Sequence, residues 1–242
     1  MPIKSSIAIG DSFVLSCGSI ATIIKYHSCS NIIIETNTGF IGSTHAQLLK
    51  TGKATDWNYK SLAEVGFIGF DPKTIKNYKL AGDIAYETWR KMIKRCYKEN
   101  WFLGNPTYQN AIVCDEWFSF KVFKIWFDDN YIEGYHLDKD LKGFGLKVYS
   151  PYNCIFIPQE INKLFYVTNK EKVLPIGVKN NGYSYVCTLS DNSFRKIKDA
   201  QNEYWNIKYK IIQDRVNTFP KFKEIIEDYF EYYFNKHYKE TK

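Results

Sequence analysis

Three residues near the middle of the chain bring charge together closely enough to do chemistry: Asp138, Lys139 and Asp140, in the run HLDKDLKGFG. Two carboxylates two positions apart on a strand point to one face, with the residue between them turned away unless the chain is already turning there. About twenty residues on, Asn162 falls one turn into a helix that opens with Pro158, where proline is tolerated. Two carboxylates and a side-chain amide oxygen are hard donors, the kind that Mg²⁺ accepts while leaving positions for water and phosphate. That chemistry is metal-assisted phosphodiester hydrolysis, in which a cation neutralises oxygens that gain charge. Read without that chemistry, the same three charges are an exposed turn before a glycine-containing loop. His136 lies two residues ahead of Asp138, on the same strand face, and is the one histidine nearby: either a base or a surface histidine on an edge strand.

The elements that would hold these residues can be read around them. GYHLD reads as a strand, KGFGLK as a loop, VYSPYNCIFI as a second strand kinked at Pro151, and PQEINKLFY as a helix. Upstream, residues 83–99 read as a helix capped by Asp83, with Tyr86, Trp89, Ile93, Cys96 and Tyr97 forming an apolar stripe. Arg90, Lys94 and Arg95 fall off that stripe, on a face that is either solvated or turned to phosphate. A second helix is expected from Asp115 to Asp128, apolar nearly all round and so buried on more than one side. Residues 10–70 read as β, with SFVLS, IATIIKYH, NIIIETNTG and GFIGF as runs, CSN and NTG as turns, and a boundary near residue 72. Near the C-terminus VKNNGYSYV reads as a hairpin turning at Asn-Gly, followed by helices at 197–215 and 220–237. In the last of these, Phe222, Ile225, Ile226, Tyr229, Phe230 and Tyr233 make a core stripe.

The expectation is an α+β chain with a small β domain at 1–72, a helical plus ββα-metal domain at 73–170, and a hairpin-plus-helix segment at 171–242. At 242 residues and 45% apolar it is long and apolar enough for a folded core. The net charge of +7, spread along the chain, permits a polyanionic partner without demanding one. No two of the six cysteines lie close enough for a zinc knuckle, and they are expected to be reduced, mostly buried thiols. No long apolar run marks a secretory leader or a membrane span, so no membrane partner is expected.

In chain order, YETWRKMIKRCY, VCDEWFSFKVFKIW, LDKDL and YSPYNCIFIPQEIN resemble phage-encoded HNH homing endonucleases, over about residues 85–166. LPIGVKNNGYSYVCTL with the helix after it is similar, more loosely, to the Apetala-type DNA-binding fold, with the third strand cut down to SDNSFRK. The resemblance implies a Mg²⁺- or Mn²⁺-dependent endonuclease that binds duplex DNA, at work in the cytoplasm of an infected bacterium. It puts Asp138 at the metal-ligand position, Asn162 at the helix ligand position and Asn153 at the position that orients the general base. Asp140 is a further candidate ligand. Lys139 stands where the family has its histidine base, and an ordinary lysine is protonated at neutral pH, which leaves His136 as the other candidate. Arg90, Lys94, Arg95, Lys147, Lys179, Tyr183, Tyr185 and Arg195 are the candidate DNA contacts. Loss of the histidine keeps two other readings open: a DNA-binding protein on a decayed nuclease scaffold, and a phage protein that binds a host factor.

Overall fold

The computed structural model describes residues 7–98, 108–165 and 174–239. The chain is α+β and groups into two compact units, Met1–Asn130 with Val148–Ser150, and Tyr131–Lys147 with Pro151–Lys242. This grouping keeps the N-terminal sheet with the helices after it, and joins the Asp138 region to the C-terminal helices. The three-segment reading drew its lines near 72 and 170 instead.

The first unit begins with an antiparallel sheet in the order β1 (Ser12–Val14), β2 (Ile20–Ser28), β3 (Asn31–Thr36), β4 (Ile41–Thr44). Alternation in β2 and β3 sends Ala21, Ile23, Ile32 and Ile34 to one side, where they bury against Leu15, Leu49 and Ala54. Leu49 comes from a short helix, α1 (Ala46–Lys50). The register of β2 on β3 slips twice, after Ile23 and after Tyr26, and such bulges bend a small sheet. GFIGF, expected as a strand, is not one. Its backbone is used at the start of a helix: the carbonyls of Phe67 and Ile68 accept the Phe120 and Lys121 N–H groups at 2.8 and 3.0 Å. A helix start carries such unpaired donors, and here a neighbouring segment satisfies two of them.

Helix α2 (Ile84–Tyr97) starts where Asp83 accepts the Tyr86 N–H at 3.1 Å. It buries Ala85, Trp89, Met92 and Ile93. The single helix expected over 115–128 is two pieces. A 3₁₀ turn covers Asp115–Phe118, Ser119 is extended and bridges to Phe67, and α3 follows as Phe120–Asn130. The helix does not bury all round, because Val122 and Ile125 are exposed while Phe120, Phe123 and Phe127 are buried. Trp117 and Trp89 join the two helices: the Trp89 indole N–H donates to the Trp117 carbonyl at 2.7 Å.

VYSPYNCIFI, expected as one kinked strand, is two strands in different sheets. Val148–Tyr149 (β7) pairs in parallel with Ile112–Val113 (β5), whereas Ile155–Ile157 (β8) pairs antiparallel with His136–Asp138 (β6). Pro151 cannot donate to a ladder and sits in the turn between the two. The next helix is one turn, α4 (Gln159–Asn162), continued as a 3₁₀ turn to Phe165. Residues 166–173, ahead of the hairpin, lie outside the described residues.

In the second unit the hairpin forms as β9 (Val178–Asn180) and β10 (Tyr185–Cys187), with Asn181–Ser184 as its connection. The Asn181 side chain accepts the Tyr183 and Ser184 N–H groups there. A third strand of two residues, β11 (Ser193–Phe194), completes the sheet. Helices α5 (Ile197–Thr218) and α6 (Lys223–Lys239) follow, and both run beyond the expected ends. Gly177 is needed where it stands, since a side chain would begin 2.1 Å from the Tyr204 ring. The core here joins Leu141, Ile157, Ile161 and Leu164 to Trp205, Ile212, Phe222, Ile226, Tyr229 and Tyr233.

None of the six cysteines forms a disulfide. Only Cys154 and Cys187 are buried, so the expectation of mostly buried thiols is too broad, and Cys29 is exposed. Among the described residues no helix is long and apolar enough to cross a membrane.

Candidate functional site

Strand β6 ends at Asp138, and the chain turns there because the Asp138 side chain captures the backbone just beyond it. Its Oδ1 accepts the N–H of Asp140 at 3.0 Å and of Leu141 at 2.7 Å. Leu141 then buries in the core against Ile157 and Ile161. Further along the loop, the Gly145 N–H donates to the Asp140 carbonyl at 2.9 Å. Gly143 packs so closely that a side chain would begin 2.7 Å from the Lys139 carbonyl and 3.3 Å from the Asn153 Cβ. Phe144 leans on Tyr232 of α6, ring to edge, at 5.8 Å. On the opposite flank, the buried Lys208 of α5 donates to the Leu164 carbonyl, tying down the turn that follows Asn162. Burial lowers that ammonium to about 8.

Asp138, Asp140 and Asn162 line one cavity of about 130 Å³, together with Leu141, Ile157, Ile161, Phe165 and Tyr229. Strand β6, the turn after it and helix α4 thus bring the three sequence-predicted metal ligands to one place. Asp138 is buried, and loss of hydration raises its carboxyl to about 6, opposed by the Leu141 N–H and reinforced by the charge of Asp140. Both bonds to Asp138 end on Oδ1, and Oδ2 accepts none among the described residues. Oδ2 is not sealed from solvent either. A buried carboxylate with an open oxygen beside a second carboxylate is a place for a cation.

Lys139 is placed differently from the expectation that it faces away from the carboxylates. Its backbone does turn at the strand end, but its ammonium returns to bind both Asp140 oxygens, at 2.8 and 2.7 Å. The lysine is buried and does not line the cavity. It therefore halves the negative charge of the Asp138–Asp140 pair and is not exposed as a phosphate-binding group. His136 is exposed and also lies off the cavity. Asn153 packs on the Gly143 backbone, just ahead of β8, and is not part of the lining.

The residues present fit a Mg²⁺ or Mn²⁺ ion: two carboxylates and one amide, all oxygen donors. Among the described residues no three His, Cys, Asp or Glu side chains converge, so a nitrogen- and sulfur-rich zinc site is not what this chain offers here.

The candidate DNA contacts divide. Arg90 is paired with Glu87 at 2.7 Å. Arg95 sits over the Tyr108 ring at 5.3 Å and bonds the buried Tyr149 hydroxyl. Both guanidinium groups are engaged within the fold, which Lys94 is not seen to be. Lys147, Lys179 and Arg195 are exposed, and Tyr183 is fully exposed at the hairpin tip. Register places Lys179, Val186 and Ser193 on one face of the three-stranded sheet, and Tyr185 with Phe194 on the other. Tyr185 is half-buried on the same face as Val178 and Cys187, so it is a packing residue more than a contact.

Tyr229 was not among the sequence-predicted site residues, where its spacing marked it as core. It is core, and it also lines the cavity; periodicity alone does not separate those two roles. No protein-family model matches this sequence, and no curated protein or solved structure is significantly similar to it.

Proposed function

We propose that this chain is a DNA-acting phosphodiesterase of the HNH type, with Asp138, Asp140 and Asn162 as its divalent-cation ligands. The observation that carries the reading is the open Oδ2 of buried Asp138, in one cavity with Asp140 and Asn162 at the junction of two antiparallel strands and a helix. The order of motifs over residues 85–166 supports it. Mg²⁺ or Mn²⁺ at such a site supplies charge neutralisation at the phosphodiester and a more acidic water. The chain's own residues hold the ligands in place: Leu141 and Asp140 N–H groups fix the Asp138 carboxylate, and Lys208 fixes the turn after Asn162. Lys179, Arg195 and Lys94 are candidate cations for duplex phosphates, as is Lys147, which also has an interaction within the fold.

One observation favours the second reading, a DNA-binding protein on a decayed scaffold. Neither Lys139 nor His136 lines the cavity, so among the described residues no nitrogen base lines the proposed metal site.

The test is a cleavage assay on supercoiled plasmid and mixed genomic DNA with Mg²⁺, Mn²⁺ or chelator, beside Asp138→Ala and Asn162→Ala. Metal-dependent nicking that both substitutions abolish is the expected result. Undiminished cleavage in both variants removes this site. DNA binding that weakens steeply with salt, without nicking under any cation, selects the decayed scaffold.

A further inference from the structure

We propose that Tyr229 is a substrate-binding residue whose hydroxyl donates to a non-bridging oxygen of a DNA phosphodiester held in the Asp138–Asp140–Asn162 cavity. The inference rests on the DNA-acting reading above and adds a group from outside the strand–strand–helix unit.

The ring of Tyr229 is fixed by its neighbours. Phe165 meets it edge-on at 4.7 Å, and Tyr232, Tyr233 and Phe144 lie at 5.7, 6.3 and 6.4 Å. A clamped ring presents its hydroxyl with little freedom left to lose, which makes a donor effective. Tyr229 lines the same cavity as the two carboxylates and the amide. Its hydroxyl makes no hydrogen bond among the described residues and is not sealed off. Tyrosine hydroxyls buried in a core usually have a partner. The hydroxyl and the carboxylates therefore face a common space without bonding each other, and an occupant has to suit both sides.

The Asp138–Asp140 pair, still net negative with Lys139 bound to Asp140, repels a phosphate. A cation on the carboxylate side removes that repulsion, and an anion's oxygen can then approach the phenol. A neutral O–H is the donor type that fits there. A lysine or arginine in its place would bind the carboxylates itself and compete with the cation, as Lys139 already does at Asp140.

The experiment uses the full-length protein, Tyr229→Phe, and Tyr233→Phe as control, since Tyr233 touches the same Phe165 but does not line the cavity. Mn²⁺ affinity is read from the electron paramagnetic resonance of free Mn²⁺. Inorganic phosphate binding to the Mn²⁺-loaded protein is read from ³¹P relaxation, and plasmid nicking is followed in parallel. The expected result for Tyr229→Phe is Mn²⁺ affinity within about twofold of wild type, with phosphate affinity and any nicking rate down roughly ten- to hundredfold, the usual loss for one hydrogen bond to a charged group. Tyr233→Phe should match wild type in all three. Equal phosphate binding by Tyr229→Phe overturns the inference and leaves the DNA-acting reading standing. Loss of Mn²⁺ along with phosphate, or a melting temperature several degrees lower, also overturns it, because the hydroxyl would then serve the cation or the fold. A wild type that holds neither Mn²⁺ nor phosphate overturns both.

Discussion

Two aspartates, one in each unit, are buried to nearly the same depth and are used in opposite ways. Asp56 is 6% exposed and Asp138 is 8% exposed. Both oxygens of Asp56 are occupied: the Thr38 hydroxyl lies 2.9 and 2.8 Å from them, and Oδ1 also takes the Asn58 N–H at 2.9 Å. Asp138 takes two backbone N–H groups on Oδ1 and leaves Oδ2 open to a cavity. A buried charge costs stability unless it is well paired. Asp56 meets that condition with Asn58 from its own turn and Thr38 from the β3–β4 connection, which it ties to the segment after α1. Asp138 meets it only in part, with one oxygen left without a protein donor among the described residues.

The largest effect expected from this contrast is at Asp56. Asp56→Ala leaves the Thr38 hydroxyl and the Asn58 N–H without their acceptor, at a cost of about 2 to 3 kcal/mol. Urea unfolding followed by tryptophan fluorescence reads it, since Trp57, Trp89, Trp117 and Trp126 are all in the first unit. A midpoint unchanged from wild type would mean that Asp56 is dispensable, and the contrast would collapse.

Asp138→Asn is expected to act in the other direction. The amide oxygen can still accept from Asp140 and Leu141, while the buried charge is gone. The folded carboxyl is raised from the ordinary range to about 6. Between about pH 4 and 6 the unfolded chain gives up this proton before the folded one does, so wild-type stability falls across that window and is level above it. At pH 7 Asp138→Asn is therefore more stable than wild type by up to about 3 kcal/mol, and below pH 4 the two converge. Thermal melting followed by helical circular dichroism measures this. A variant less stable than wild type at pH 7 would show that the Asp138 charge serves the fold.

Only the Asp138 side of this contrast is visible in the sequence. Asp138, Asp140 and Asn162 stand out because charge and amide sit at strand and helix spacings, and those spacings are local. Helix α2 was equally legible, from Asp83 and a 3.6-residue stripe. The two-strand split at Pro151 was not, since Val148–Tyr149 and Ile155–Ile157 have the same β-like composition and only their distant partners separate them. GFIGF failed for a related reason: its residues suit a strand, but its carbonyls are taken by the start of α3. The fate of Lys139 depends on a side chain doubling back, and the site role of Tyr229 on a helix almost ninety residues downstream of Asp140. Neither leaves a mark in local spacing.

The smallest effect is the one that joins stability to the site. Mn²⁺ at about ten times its dissociation constant should stabilise wild type by about 1.4 kcal/mol, seen as a rise in melting temperature. Asp138→Asn should show no rise, because it lacks the open carboxylate oxygen. Asp56→Ala should show the full rise on its lower baseline, since its own cluster lies in the other unit and holds no cation. The rise in wild type should fade as the pH drops through about 6, where a proton takes the place of the cation on Asp138. A rise that persists at pH 5, or that Asp138→Asn retains, would put the cation elsewhere. The open oxygen of Asp138 would then be a cost that the fold carries without use.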